Sequence, residues 1–436
     1  MMDRYGTLIK QAPDPEAAEI RLERLLDNNI IRKHITKMPD ETVRIFIHLV
    51  SLSNFLYRYF SRHPELIHLI NGSQVLDRQQ LEKISDLDSL RLFKYQELLK
   101  ITWLDLENRF SYKVILDRLS YLADNIIIKL MQNISAEMAS EWDYKSIPFC
   151  VFAMGKLGAN ELNYSSDIDL IFVSRNIDEI NGDVHFYQEG VIDAIRKFNK
   201  AMEDVSENGF LYRVDLKLRP WGRSGPLVLS VDETEHYYEA STEAWERFAW
   251  LRARIVTGEK ESGVDLLQRL QPFIYLRSLS SDDLNRFVHI KSEMGKQRKR
   301  QGSWNVKLGE GGIRDIEFFV QMLQIVNAHS HEKLKVTNTM LVLEHLVSMG
   351  FLTREEGREI SDSYLFLRKL ENRLQMVDEQ QTHQLPDDPV QRIKIASSMG
   401  FGNSKENKTL ELFDEQLARH KITARTCFEK ILPGES

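Results

Sequence analysis

Two aspartates one residue apart, Asp167 and Asp169, stand where the turn-rich stretch MGKLGANELNYSSD (154–167) gives way to the apolar run IDLIFV (168–173). On a β-strand alternate side chains share a face, so the two carboxylates would project together. Like charges held side by side repel, and a cation between them relieves the repulsion. A third carboxylate, Asp215, follows 46 residues after Asp169 in RVDLKLRP (213–220), where Val214, Leu216 and Leu218 alternate with Asp215, Lys217 and Arg219. If the two segments are neighbouring strands, the three carboxylates meet on one patch. Such a set would hold two Mg²⁺ ions and clamp the attacking and leaving oxygens of an in-line displacement at phosphorus. The plainer alternative makes Asp215 a solvent-facing strand residue paired with Lys217 or Arg213. Ahead of the first pair, Gly155 and Gly158 allow tight backbone geometry with exposed N–H groups suited to a phosphate. Ser165 and Ser166 can donate to phosphate oxygens or close the turn.

The elements that must position these residues are of two textures. Residues 14–145 read as mostly helical and poor in glycine. Asp40 is the expected N-cap of an amphipathic run through Val43, Ile45, Phe46, Leu49, Leu52 and Phe55, and Pro64 fits the start of the next helix. From about Pro148, β-branched and aromatic runs appear as strands: FCVFAM (149–154), IDLIFV (168–173) and LYRVDLKL (211–218), with a helix near 186–206 between the last two. After about residue 265 helical periodicity returns. Leu341–Met349 ends at Gly350, and segment 361–378 sets Tyr364, Leu367, Leu370, Leu374 and Val377 on one face with Arg368, Lys369, Glu371 and Arg373 on others. The expected fold is α+β and mainly helical, with a small sheet domain (146–265) between helical modules (1–145 and 266–436).

Composition narrows the function. The 436 residues are 42% hydrophobic and 28% charged, as in a globular protein, and the formal net charge of −7 argues against general nucleic-acid binding. The opening Met-Met-Asp-Arg-Tyr-Gly lacks an apolar core of the signal-peptide type, and no apolar run approaches bilayer-spanning length, so no membrane partner is expected. Cys150 and Cys427, outside any CxxC pattern, suit two reduced thiols and a cytoplasmic setting.

A glycine turn, an Asp-x-Asp on a strand and a later strand aspartate together resemble the nucleotidyltransferase superfamily. Longer stretches, GKLGANELNYSSDIDLIF, RVDLKLRPWGRSGPLVLS, WERFAWLRARIVTG and VKLGEGGIRDIEFFVQ, resemble in order the catalytic modules of glutamine synthetase adenylyltransferases, across residues 148–386. SYLFLRKLENRLQMVDEQQTHQLP (363–386) resembles the tail of the N-terminal, deadenylylating half of those bifunctional enzymes, and the chain is read as that half produced alone. The resemblance implies a polymerase-β-like sheet domain with Mg²⁺ held by Asp167, Asp169 and Asp215. It implies phosphate or nucleotide contacts from Gly155, Lys156, Ser165, Ser166, Arg213, Lys217, Arg219 and Arg223. The implied reaction is phosphorolysis: inorganic phosphate attacks the adenylyl group on a glutamine synthetase tyrosine and ADP is released. The implied partners are adenylylated glutamine synthetase and a PII signal protein, its uridylylated form activating. Two departures stand out: Ala159-Asn160 replaces common glycines, where Asn tolerates left-handed geometry, and Lys217 replaces a usual Arg, losing the bidentate fork. Two rival functions stay open, namely ATP-dependent adenylylation of a protein tyrosine and an inactive module that binds PII.

Other signals are weaker. In KLGEGGIRDIEF (307–318) the glycines precede a helix start that favours anions, with Asp315 and Glu317 in the first turn and Lys307 or Arg314 expected near the cleft. The alternative is a glycine hinge that docks the last helical module. KQRKR (296–300) reads as a solvated helix face or protein-contact patch. His329 and His331 read as surface residues. Trp245, Phe248 and Leu251 recur on one packed helix side, from which Arg252 and Arg254 could approach the site, although a structural role is the plainer reading.

Overall fold

The computed structural model describes residues 2–70, 76–142, 149–179, 183–240, 243–275, 303–402 and 406–430, with short pieces at 285–286 and 289. The basic run KQRKR lies outside the described residues. Five strands form one mixed sheet: β1 (Phe149–Ala153), β2 (Ile168–Ser174), β3 (Val214–Asp215), β4 (Val228–Ser230) and β5 (Arg254–Gly258). β1 is central, antiparallel to β2 on one side and to β5 on the other. Both β3 and β4 run parallel to β2 along its free edge, β3 at Ile168–Asp169 and β4 at Phe172–Ser174.

Strand alternation divides the sheet between two cores. Phe149, Val151, Ala153, Ile168, Leu170 and Phe172 face a core continuous with the N-terminal helices and with helix Val184–Glu203. Cys150, Phe152, Met154, Ile171 and Val173 face a second core built with Tyr238, Trp250, Leu251 and Leu266. Asp169 shares the parity of Ile171 and Val173 and so lies on this second face, at the strand end. The last helices have a core of their own around Ile316, Leu343, Tyr364, Leu367 and Phe413. Cys150 and Cys427 are buried and unpaired with each other. Among the described residues no helix is long and apolar enough to cross a membrane.

Several elements differ in detail from the sequence expectation. Asp40 is the first helical residue after Pro39, not the cap. That helix stops at Leu52, because Ser53 is extended and accepts from the Leu56 N–H, capping the next helix; Phe55 therefore belongs to Asn54–Arg62. The strand expected over 211–218 shrinks to Val214–Asp215. The Asp215 carboxylate accepts from the Lys217 N–H at 2.9 Å, an Asx turn that ends the ladder. Arg254 opens β5 rather than lying on the preceding helix, which ends at Trp250.

The helix expected at 361–378 is longer, Arg354–Met376, opened by a Thr353–Glu356 capping box. Its polar side is not solvated: Arg368, Glu371, Asn372, Arg373 and Gln375 are all buried. Arg373 makes a bidentate pair with Asp105 of helix Leu87–Glu107, both contacts 2.6 Å, and Tyr164 adds a third bond to the same carboxylate at 3.1 Å. This point joins the N-terminal helices, the turn before β2 and the C-terminal helices. Breaking a buried ion pair leaves one charge uncompensated, at a cost of about 3–5 kcal/mol. Asp105→Ala should therefore lower the denaturant midpoint strongly, and Asp105→Leu combined with Arg373→Met should recover most of the loss.

Candidate active site

The register of β2 and β3 aligns Ile168 with Val214 and Asp169 with Asp215. Residues in register on parallel neighbours point to the same face, so these two carboxylates stand side by side. Asp167 precedes Asp169 by two residues and shares that face. The glycine turn closes over the strand end. The Met154 N–H donates to the Asp169 carbonyl at 2.9 Å, and Gly155 adopts a left-handed φ of +54°. A Cβ at Gly155 would lie 2.5 Å from Asp169 Oδ2, so any side chain there would displace the carboxylate. A Cβ at Gly158 would lie 1.7 Å from the Arg252 carbonyl, fixing the turn against the backbone that leads into β5. Asn160 holds φ at +57°, the left-handed geometry expected of it.

The site carries more negative charge than it neutralises. Burial, then the neighbouring Asp215 and Asp167, raise the Asp169 carboxyl to about 6, while Lys307 and Lys156 pull the other way. Lys307 of the KLGEGG loop thus bears on the Asp169 charge. Asp167 pairs with Arg213 at 2.6 Å, and Asp215 pairs with Lys217 at 2.6 Å. With those two carboxylates turned to basic side chains, no three acidic, histidine or cysteine groups among the described residues converge tightly enough to enclose an ion. The donors nevertheless suit a hard divalent cation: carboxylate oxygens only, one of them on a half-buried aspartate raised by burial and then by like charge.

The other predicted residues fall into two groups. Ser165 lies with the aspartates, but its hydroxyl donates to the Glu379 carbonyl at 2.8 Å and accepts from Arg213 at 3.2 Å. Ser166 is nearly buried beside it. Lys156 is turned to Glu371 at 2.7 Å; burial brings its pKa down to about 7 against the pull of that carboxylate. Arg219 folds back on its own loop, donating to the carbonyls of Leu216, Arg223, Gly225 and Pro226, while Arg223 is exposed. Arg314 reaches Glu317 at 3.4 Å, and Arg252 reaches the same carboxylate at 3.1 Å. Burial would raise Glu317, yet these arginines hold it at about 2. Arg252 and Arg254 both serve the scaffold, Arg254 through Asp124 and the carbonyls of Leu157 and Gly158. Asp315 accepts from the Gly311 N–H at 2.8 Å. A Cβ at Gly311 would lie 2.4 Å from the Lys421 carbonyl, so this glycine loop packs against the last helix, within the C-terminal helices themselves. His331 caps a carbonyl, that of Asn327, and packs edge-on to Phe351.

One layer of residues went unread. Glu161 accepts from the Tyr364 hydroxyl at 2.7 Å and the Thr339 N–H at 2.8 Å. Arg368 donates to the Glu161 carbonyl and to Asn163. Asn372 and Gln375 accept from the backbone N–H groups of Tyr164 and Ser165, each at 3.1 Å. Arg368, Glu371, Asn372 and Gln375 are spaced i, i+3, i+4, i+7, a polar helical stripe alongside the apolar one. That periodicity was the available signal of a second buried face.

Residues 43–269 match the family described as glutamate-ammonia ligase adenylyltransferase, and residues 286–432 match the family described as GlnD PII-uridylyltransferase. The chain is 33% identical over 350 residues to a bifunctional glutamine synthetase adenylyltransferase/adenylyl-removing enzyme of Thioalkalivibrio sulfidiphilus, covering 78% of this chain and 36% of the relative. The like-named protein of Hahella chejuensis is 33% identical over 402 residues, 84% of this chain and 41% of the relative. That of Psychromonas ingrahamii is 31% identical over 406 residues, 86% and 42%. The chain thus spans less than half the length of these curated relatives. On the extent of the match over residues 43–269, it belongs to the glutamate-ammonia ligase adenylyltransferase family.

Proposed function

We propose that this chain removes AMP from an adenylylated tyrosine of glutamine synthetase by phosphorolysis, releasing ADP. The observation that carries the reading is the in-register pairing of Asp169 with Asp215 under the Gly155 turn. An oxygen of inorganic phosphate attacks the adenylyl phosphorus, the bond from phosphorus to the tyrosine oxygen breaks, and the phenolate takes up a proton. The nucleophile arrives already ionised, so a strong general base is not required; the demand is neutralisation of crowded charge and alignment.

Asp167, Asp169 and Asp215 would hold Mg²⁺, which when bound supplies that neutralisation at phosphorus. The Gly155 turn and Ser166 would contact phosphate oxygens. Arg213 and Lys217, released from their carboxylates, would bind the incoming phosphate or the leaving oxygen, with Arg223 beside them on its loop. Lys156, turned to Glu371, and Lys307 would add positive charge near the aspartates. Ser165 and Arg219 would shape the site, Ser165 by holding Arg213 and Arg219 by bracing the loop after β3. Arg314 would act through Glu317.

The direction of reaction rests on the likeness of residues 363–386 to the deadenylylating half. The names of the relatives support glutamine synthetase as the substrate. The match over 286–432 supports regulation by a PII signal protein through the C-terminal helices. Adenylylated glutamine synthetase given phosphate, Mg²⁺ and this chain should yield ADP. Transfer of label from ATP into unmodified glutamine synthetase, without ADP release from the modified form, would overturn the assignment in favour of adenylylation.

Asp169→Asn should reduce ADP release on the order of 10²–10³-fold or more, the scale of losing charge stabilisation in a transition state, with an unchanged circular dichroism spectrum. Wild-type turnover would refute the metal-ligand role. The same substitution should stabilise the fold. A carboxyl whose pKa is raised to about 6 in the folded state favours its protonated form, so ionisation costs roughly 2–3 kcal/mol once the pH exceeds that value, and nothing below about 4. Thermal melts should therefore show Asp169→Asn above wild type at pH 7.5, with the gap closing as the pH falls towards 4. A gap independent of pH would count against charge crowding at Asp169.

A further inference from the structure

We propose that Glu371 is a positioning residue for the catalytic turn: it holds the Lys156 ammonium off the Asp169–Asp215 pair, so that helix Arg354–Met376 governs whether those carboxylates are free to take a cation. The inference rests on the metal-holding role of the aspartates given above, and adds to it a control point outside the sheet.

Three observations carry it. Glu371 is fully buried and meets Lys156 at 2.7 Å, Arg368 at 3.2 Å and His383 at 3.0 Å. A carboxylate buried this deeply must be paired, and Lys156 and Arg368 supply the opposite charge, with the His383 ring beside them. Next, Lys156 directly follows Gly155, whose backbone abuts the Asp169 carboxylate, so the ammonium has two acidic destinations, Glu371 behind the turn and the aspartates in front. Finally, Arg368 and Lys307 also bear on Lys156, and both are positive. With Glu371 neutralised, these like charges would repel Lys156 and the aspartates would attract it. The lysine would then occupy carboxylate oxygens that a cation requires.

The helix is well placed for control. Besides Glu371, it fixes the same turn through Arg368 on Glu161 and Asn163, Asn372 on Tyr164, and Gln375 on Ser165. The strap beyond it carries His383 and Glu379, the latter accepting from Ser165. A shift of this helix would therefore move the Lys156 partner and the backbone leading to Asp167 together.

The test uses Mn²⁺ alone as probe and reads its affinity for the full chain by titration. Glu371→Gln should weaken Mn²⁺ binding about tenfold or more, the usual cost of losing a partner that orients a ligand set. Lys156→Met added to Glu371→Gln should restore the affinity to within about twofold of wild type, because the competing ammonium is gone. A merely structural role for Glu371 gives no such restoration. Where Glu371→Gln fails to fold, Glu371→Asp keeps the charge but withdraws it by one carbon, and should show a smaller loss that Lys156→Met likewise restores. Unchanged affinity in the Glu371 variants, or a double variant no better than the single one, overturns the proposal. A wild-type chain that takes up no Mn²⁺ defeats the metal-holding role of the aspartates and this inference with it. Wild-type uptake with unaltered Glu371 variants defeats this inference alone.

Discussion

Burial of Asp169 and its repulsion from Asp215, the two forced together by strand register and set under a glycine turn, form the constraint around which the rest of the molecule is arranged. An isolated sheet would relieve it by letting the β3 edge fray, since β3 has only two residues in the ladder. Here the edge is held from both sides. Arg219 braces the loop after β3 through four carbonyls, and Arg213 and Lys217 partly offset the acidic charge. Stored repulsion of this kind is how a fold keeps a site ready for a charged ligand, and it costs stability.

The second half of the arrangement is a buried polar layer between the glycine turn and helix Arg354–Met376. Glu161, Arg252, Glu317, Arg368 and Glu371 lie in it almost without solvent, each carboxylate facing at least one guanidinium or ammonium. Such a layer adds less net stability than apolar packing of the same size, but it tolerates only one registry. A turn so close that a Cβ at Gly155 would lie 2.5 Å from Asp169 Oδ2 gains from that registry. The geometry of the candidate site is thus a property of sheet and C-terminal helices jointly, and helix Arg354–Met376 lies within the residues that match the PII-uridylyltransferase family.

Much of this was legible in the sequence, for identifiable reasons. The apolar runs of β1 and β2, the spacing from Asp169 to Asp215 and the glycine turn each follow from local periodicity and backbone preference, as does the left-handed Asn160. β3 was overdrawn because alternation alone cannot reveal that the Asp215 carboxylate ends its own strand by accepting from Lys217. β4 and β5 went unseen because short strands next to helices carry little periodic signal. The burial of the polar stripe of helix Arg354–Met376 was not legible, since one chain pattern cannot say whether arginine and glutamate meet water or each other. Likewise Lys156, chosen for its place in a phosphate-type loop, has a partner more than two hundred residues away, a contact that only the fold can bring about.

Cation capture by the three aspartates is tested most directly by a crystal structure of the chain grown with Mn²⁺ and read by anomalous scattering. That structure should show anomalous density bounded by Asp167, Asp169 and Asp215, with Arg213 and Lys217 displaced from their carboxylates. Density elsewhere, with both ion pairs intact at β2 and β3, would contradict such capture.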